Sequence, residues 1–221
     1  VRMELGPIFR SLLRNKLGVS LIALQIAFTM TVVVNAIFII NERSSLMARP
    51  SGLDEANLFF LTSRGFQDQF SEEAAIIGDR VRLESMPGIV SMTVMNAIPL
   101  SGSGSSIVVW SQPDTTRPST NTAYYHVDQY ALDTMGLELI AGENFTEADV
   151  EYVESGRNTD PVKTIVSQAL AQDLFPGPPE QAVGRVLYES GGAPVQIIGV
   201  VRQLQAPWTS FSGVERSMRI P

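Results

Sequence analysis

The longest apolar run in the sequence covers residues 17–40 and contains no ionisable side chain. A helix rises about 1.5 Å per residue, so this run would be about 36 Å long, enough to cross a hydrocarbon core about 30 Å thick. The pattern therefore predicts one transmembrane helix. A cleaved signal peptide and a buried core helix are the alternatives, but the apolar region of a signal peptide is shorter, about 7–15 residues.

Four polar residues interrupt this apolar run: Gln25, Thr29, Thr31 and Asn35. Inside a bilayer their side chains must find hydrogen-bond partners in the protein. This favours a span that packs against other helices. The alternative is that single polar groups are tolerated in the span at little cost.

A short amphipathic segment precedes the span. In residues 6–16 the apolar and basic side chains fall on opposite sides of a helix, as in helices that lie at a membrane surface. The apolar side holds Ile8, Phe9, Leu12 and Leu13, and the basic side holds Arg10, Arg14 and Lys16. We expect an interfacial helix within residues 1–16, in contact with membrane lipid. These cations are too few to indicate a nucleic-acid partner.

The pattern after a linker at 41–56 predicts a strand–helix–strand unit. Residues 57–62 are an apolar run typical of a strand. Residues 71–85 have helical spacing, with Ser71 as the N-terminal cap and a stop before Pro87. Residues 89–95 alternate apolar and polar side chains, which predicts a half-buried strand.

The rest of the chain alternates strand-like runs and short helices, separated by flexible connections at 101–106 and 112–121. The predicted strands are 107–110, 123–127, 164–166 and 195–201. The predicted helices are 128–135, which Gly136 would close, and 167–174. Residues 57–221 therefore predict an α+β fold, a mixed α/β domain of one body or two lobes that follows one N-terminal transmembrane helix.

Charge is unevenly distributed along the chain. Residues 1–40 carry four basic side chains and one acidic side chain, a net of +3, which leaves −10 on residues 41–221 out of the total of −7. Basic residues lie directly before the span, whereas Glu42 and Arg43 cancel after it. The positive-inside rule therefore places residues 1–16 in the cytoplasm and the large domain on the other side of the membrane.

Chemistry-bearing motifs are scarce. The chain has no cysteine, which excludes disulfides and thiolate metal sites, and it has a single histidine, His126. Neither a Gly-x-Ser-x-Gly elbow nor a phosphate-binding loop is present. His126 is interpreted as a packed or surface side chain. An acidic cluster fits a solvated, capped helix face better than a calcium loop, and comprises Glu147, Asp149, Glu151 and Glu154, with Thr146 as the cap. We predict no catalytic, cofactor-binding or metal-binding residue.

Short motifs recur in a definite order over about 200 residues, each with a local structural meaning. Gly142 would permit a tight bend, and Gly199 would allow another segment to approach its strand closely. The motifs are residues 10–16, Met86-Pro87-Gly88-Ile89, Pro99, residues 125–130 with Met135-Gly136, residues 141–146, residues 165–167 with Leu170-Ala171 and Leu174-Phe175, Ala182-Val183-Gly184, and residues 198–201. Together they resemble the permeases of the MacB/FtsX family of ABC transporters, in the first transmembrane helix and the periplasmic core domain.

The resemblance implies a permease subunit in a bacterial inner membrane, with residues 57–221 as a periplasmic or extracellular core domain. Its expected partners are a cytoplasmic ABC ATPase, a second permease copy or homologue, and a periplasmic adaptor protein. ATP chemistry would belong to the ATPase, so the chain itself would be neither an enzyme nor a cofactor-binding protein. Movement driven by ATP hydrolysis would pass to the outside domain, a mode called mechanotransmission, in efflux or export. Because family members carry three further membrane helices, we expect the chain to be part of a longer permease.

Two other interpretations stay open. One is a single-span sensor or ligand-binding module on the outside of the membrane, and the other is a membrane-anchored hydrolase, which the missing motifs disfavour. The resemblance leaves the substrate undefined. The surfaces that would select it lie partly in loops 101–122 and 202–216, where Trp208 and Phe211 are either a contact patch or part of the core.

Overall fold

The structure is a computed structural model of the 221-residue chain, and it describes residues 16–65, 70–114, 116, 118–150 and 162–221. The chain divides into two compact units, Val1–Arg49 and Pro50–Pro221.

In its described part the first unit is one long helix, α1, at Lys16–Met47. It contains the predicted span at 17–40 and is long and apolar enough to cross a membrane. Two of the polar side chains in the span are satisfied inside the helix itself. Thr29 Oγ1 donates to the Gln25 carbonyl and Thr31 Oγ1 donates to the Ala27 carbonyl, each at 2.8 Å. These two hydroxyl groups therefore need no neighbouring helix as a partner. Except for Lys16, the predicted interfacial helix lies outside the described residues.

The second unit is built on a sheet of seven strands. The strands are β1 Ser105–Trp110, β2 Thr120–His126, β3 Leu139–Gly142, β4 Lys163–Ser167, β5 Val186–Glu189, β6 Pro194–Val201 and β7 Ser217–Ile220. They lie in the order β3-β6-β4-β7-β2-β1-β5, and β5 also pairs with β6. Six strands therefore close into a barrel-like ring, and β3 continues along β6 beyond the end of β5.

Strand β7 occupies the middle of this sheet. It runs parallel to β2 and antiparallel to β4, with Arg219 opposite Tyr125 on one side and opposite Ile165 on the other. The second parallel pair is β4 with β6. The two neighbours of β7 are therefore far from it in the sequence.

Three α-helices accompany the sheet: α2 Glu72–Glu84, α3 Ala131–Met135 and α4 Gln168–Leu174. Single turns of 3-10 helix lie at Glu55–Asn57, Glu147–Asp149 and Pro179–Gln181. Ser71 and Ser167 cap α2 and α4, since each hydroxyl accepts a backbone N–H three residues further on, at 3.3 Å. Gly136 ends α3 in the left-handed conformation, with φ 65°. These predicted ends are confirmed.

Apolar clusters cover both faces of the sheet. Successive strand residues point to opposite faces, so Tyr125 belongs to the first cluster, whereas Tyr124 packs against the second. The first cluster holds α3 and the second holds α4. Gly199 is needed for close approach, because a Cβ there would lie 2.6 Å from the Glu143 carbonyl oxygen. The α+β prediction, one N-terminal helix followed by a mixed domain, is confirmed.

The predicted strands at 57–62 and 89–95 are wrong. Residues 58–62 and 89–94 have no regular secondary structure, and Met95 forms only an isolated bridge with Val127. Both stretches have strand-like side chains but no paired neighbouring strand in the described structure, and a strand needs a partner for its backbone groups. Phe59, Phe60 and Val90 are exposed, whereas Met92 and Val94 are partly buried.

Strands β3, β5 and β7 were not predicted. Each is only four residues long. Strand β7 also carries Arg219 between two apolar residues, which is the pattern of a surface strand, yet all four of its residues are buried. Its burial comes from its place between β4 and β2, which local pattern does not specify.

Candidate functional site

The side chains singled out for their chemistry are not brought together. His126 lies exposed at the end of β2, where its ring meets the edge of Tyr124 at 5.4 Å between centroids. In the part of the chain that the structure describes, no group of three or more His, Cys, Asp or Glu side chains could hold a metal ion.

Part of the acidic cluster forms a capping box. Asp149 Oδ2 accepts from the Thr146 backbone N–H at 2.8 Å and from its hydroxyl at 2.7 Å. Asp149 Oδ1 also accepts from Lys163 Nζ at 2.6 Å, at the start of β4. The hydrogen bonds from Lys163 and Thr146 lower the pKa of Asp149 to about 2. The predicted cap is confirmed, whereas Glu151 and Glu154 lie outside the described residues.

The strongest candidate for function is a segment at Pro50–Asp54, called here the docked linker, which follows α1 in the sequence. The Gln203 side-chain amide donates to the Pro50 carbonyl at 2.6 Å, and the Gln205 side-chain amide donates to the same oxygen at 2.5 Å. The Asp54 backbone N–H donates to the Met135 carbonyl at 3.0 Å. The linker is thus fixed to the loop after β6 and to the end of α3.

Gln205 and Met135, which receive the linker, are deeply buried, whereas Gln203 is only partly buried. Gln205 is 2% exposed, and its carbonyl accepts from the Tyr125 hydroxyl at 2.6 Å. Burial raises the pKa of Tyr125, so this hydroxyl remains a donor at neutral pH. Ser51 is 5% exposed, and Leu53 packs against the first apolar cluster. The contact is therefore an extension of the core rather than a loose surface contact.

Two glycines make this docking possible. Gly52 adopts φ +89°, and a Cβ there would collide with the Gln203 backbone. A Cβ at Gly136 would lie 2.9 Å from Asp54 Cβ. Residues 50–54 fall within the predicted linker at 41–56, and their docking has no local pattern apart from the Ser51-Gly52 pair, because the receiving glutamines lie about 150 residues away.

Arg219 is an electrostatic anomaly of the core. The residue is 1% exposed, and its three guanidinium nitrogens have no hydrogen-bond partner among the residues the structure describes. Burial lowers the pKa of Arg219 to about 9, so the charged form still prevails at pH 7. Because the guanidinium is buried away from solvent, Arg219 forms no open ligand site.

The loops proposed to select a substrate pack against each other. The Leu100 N–H donates to the Ala206 carbonyl at 3.2 Å, and the Gly102 N–H donates to the Pro207 carbonyl at 2.8 Å. Trp208 and Phe211 are half-buried against the first cluster, with ring centroids 5.6 Å apart. These two aromatic residues are therefore better described as part of the core than as an exposed contact patch.

Comparison with known proteins identifies a family. Residues 17–221 match the family model described as MacB-like periplasmic core domain. No curated protein sequence matches the chain.

Solved structures give matches of low identity. The chain is 19% identical to the periplasmic region of MacB from Actinobacillus actinomycetemcomitans, over 66% of this chain and 54% of that one, with a TM-score of 0.42. It is 23% identical to the extracellular domain of the noncanonic ABC-type transporter YknZ from Gram-positive bacteria, over 69% and 62%, with a TM-score of 0.40. A domain of a putative permease protein from Porphyromonas gingivalis matches at 21% identity, over 62% and 52%, with a TM-score of 0.35. The chain thus spans only about half to three-fifths of each of these structures.

Proposed function

Because the chain belongs to the family of MacB-like periplasmic core domains, we propose that it is part of a permease subunit of an ABC transporter. Residues 17–40 would cross the inner membrane, with residues 1–16 in the cytoplasm and residues 57–221 in the periplasm. A partner ATPase would hydrolyse ATP, and the permease would work as a dimer. Movement of the membrane helices would reach the outer domain and drive efflux or export.

The docked linker is the observation that supports this mode of action. A flexible tether after the span would absorb any movement of the span, because a loose chain transmits force poorly. The segment at Pro50–Asp54 is instead held by hydrogen bonds and by partial burial of its side chains. A displacement of its backbone would therefore be passed to the loop after β6 and to α3.

Topology is tested first by cysteine labelling, for which the cysteine-free sequence is well suited. Ser85→Cys lies at the exposed end of α2, and Ser11→Cys lies before the span. A membrane-impermeant maleimide should label Ser85→Cys in spheroplasts and should label Ser11→Cys only after permeabilisation. The opposite pattern would overturn the proposed orientation.

Coupling is tested with Ser51→Cys in the docked linker, in membranes that contain the full-length permease and its ATPase. Trapping the ATPase with ATP and vanadate should change the labelling rate of Ser51→Cys by at least about threefold, because a moved linker changes its burial. Ser85→Cys is the control and should keep its rate. Equal Ser51→Cys rates with and without nucleotide would count against mechanotransmission and favour the sensor interpretation.

A further inference from the structure

Helix α2 is attached to the rest of its unit in an unusual way. None of its 13 residues is buried, and Ile77 and Val81 are 50% and 68% exposed. Most helices in globular proteins are held by burial of an apolar face. Apolar burial of α2 is therefore only partial and comes from Ala75, Ile76 and Leu83, which are half-buried.

A single arginine carries the principal polar connection. Arg80 forms an ion pair with Asp128, whose side chain is 5% exposed. The second arm of the guanidinium donates to the Met92 carbonyl at 2.7 Å. The same group lies over the Tyr130 ring, 3.9 Å from its centroid. Arg80 thus contacts two separate parts of the unit, the segment at 128–130 and the segment that contains Met92.

The other carboxylate oxygen of Asp128 also accepts hydrogen bonds. Its Oδ1 accepts from the Thr93 hydroxyl at 2.7 Å and from the Tyr130 backbone N–H at 3.1 Å. The carboxylate is therefore fixed in position whether or not Arg80 is present. The segment after α2 has two further attachments, a hydroxyl pair between Ser91 and Thr134 at 2.7 Å and a bond from the His126 N–H to Asn96.

We propose that Arg80 and Asp128 form a latch that fixes α2 to the barrel, and that α2 swings away as one unit when this ion pair opens. Removing one partner of a buried ion pair is costly because the other charge stays buried without compensation. The hydroxyl pair at Ser91 holds the following segment and does not contact α2. The latch consequently decides whether α2 moves with the barrel or separately from it.

Hydrogen exchange followed by mass spectrometry on the full chain in detergent micelles tests the latch. Arg80→Met keeps an unbranched side chain beside Tyr130 but removes the guanidinium. Amides of α2 should exchange at least about tenfold faster in this variant, while amides of β4 and β6 stay within about twofold of the unmodified chain. Arg82→Met is the matched control, because Arg82 lies exposed on the same helix, and it should leave α2 within about twofold.

A second variant separates a latch from a general loss of structure. If the pair acts as a unit, adding Asp128→Asn to Arg80→Met should accelerate α2 exchange by less than about threefold beyond Arg80→Met alone. Unchanged α2 exchange in Arg80→Met would overturn the latch. Equal acceleration in α2, β4 and β6 would also overturn it, since Arg80 would then support the whole fold. The measurement has no transport readout, so its result stands apart from the proposed function.

Discussion

The barrel and helix α2 belong to the same unit but are held by different kinds of contact. Strands β4 and β6 lie between two apolar clusters, and residues such as Val166 and Ile197 are fully buried. Helix α2 has no fully buried residue, leaves Ile77 and Val81 largely in solvent, and forms the Arg80–Asp128 ion pair. The stabilisation from apolar contacts is the sum of many small contributions, whereas that of the latch requires one specific geometry of the Arg80–Asp128 pair. The barrel should therefore resist unfolding as a whole, and α2 should open locally.

The largest expected effect comes from the same substitution in both regions. Ile197→Ala removes a fully buried side chain from β6, and we expect it to lower the free energy of unfolding by about 2–5 kcal/mol. Ile77→Ala on α2 should change it by less than about 0.5 kcal/mol, because the side chain is half exposed. Urea unfolding followed by fluorescence of Trp110 and Trp208 measures both. Similar losses in the two variants would contradict the comparison.

Arg219 is a buried charged residue within the otherwise apolar barrel. The substitution Arg219→Met should therefore stabilise the barrel. A buried charge without a partner is unfavourable, so we expect the free energy of unfolding to rise by about 1–4 kcal/mol at pH 7. The folded-state pKa of about 9 is lower than the unfolded one, so the penalty is full below pH 9 and shrinks above it. The difference in the free energy of unfolding between Arg219→Met and the unmodified chain should therefore be constant from pH 6 to pH 8 and fall toward pH 11.

The control for Arg219→Met is Arg202→Met. Arg202 forms its ion pair with Glu138 at the surface, where both side chains are more than half exposed. This change should leave the free energy of unfolding nearly unchanged, because solvent screens an exposed ion pair. A destabilised Arg219→Met variant would mean that the guanidinium makes favourable interactions that outweigh its burial.

Alanine substitutions at two glycines, one in each region, should change stability in opposite directions. Gly199→Ala should destabilise the unit by about 1–3 kcal/mol, because its Cβ would meet the Glu143 backbone. Gly78→Ala in α2 should stabilise the helix by about 0.5–1 kcal/mol, because its Cβ meets nothing within 4 Å and alanine favours helices. Thermal unfolding monitors the first substitution, and hydrogen exchange of α2 monitors the second. The same sign for both would show that packing does not distinguish the regions.

The smallest expected change in stability is that of a substitution at Asp149, which links the turn at Glu147–Asp149 to the start of β4. Asp149→Asn weakens the capping box and the ion pair with Lys163, and should cost about 1 kcal/mol at pH 7. The depressed pKa means that the stabilisation is present above about pH 4 and is lost as pH falls through 2. Unfolding curves of the two chains should therefore converge near pH 2. A difference in stability between the two chains that persists near pH 2 would mean that the effect does not come from the carboxylate charge.

The sequence predicted those elements whose signals are local. Ser71, Ser167 and Gly136 mark helix ends through bonds that reach only three or four residues, so their positions could be read directly. The helix that contains the predicted span at 17–40 was equally accessible, because its uncharged apolar run is a local signal. Family resemblance then supplied the kind of domain.

Long-range contacts explain what was missed. The run at 57–62 has strand-like residues, but a strand also needs a neighbour, and none pairs with it in the described chain. Neither the docked linker nor the latch has a local pattern. Gln205 lies 155 residues from Pro50, and Asp128 lies 48 residues from Arg80. Such contacts follow from the folded topology and not from propensity.

The central place of β7 in the sheet has a consequence for synthesis. Strands β1 and β2 form an antiparallel pair close together in sequence and can assemble early. Strand β7 lies between β2 and β4, so the ring cannot close until residue 220 has been made. Until then both strands present an unpaired edge, which invites aggregation. The growing polypeptide therefore has to be shielded, or translated quickly, over the interval between Ser167 and Ile220.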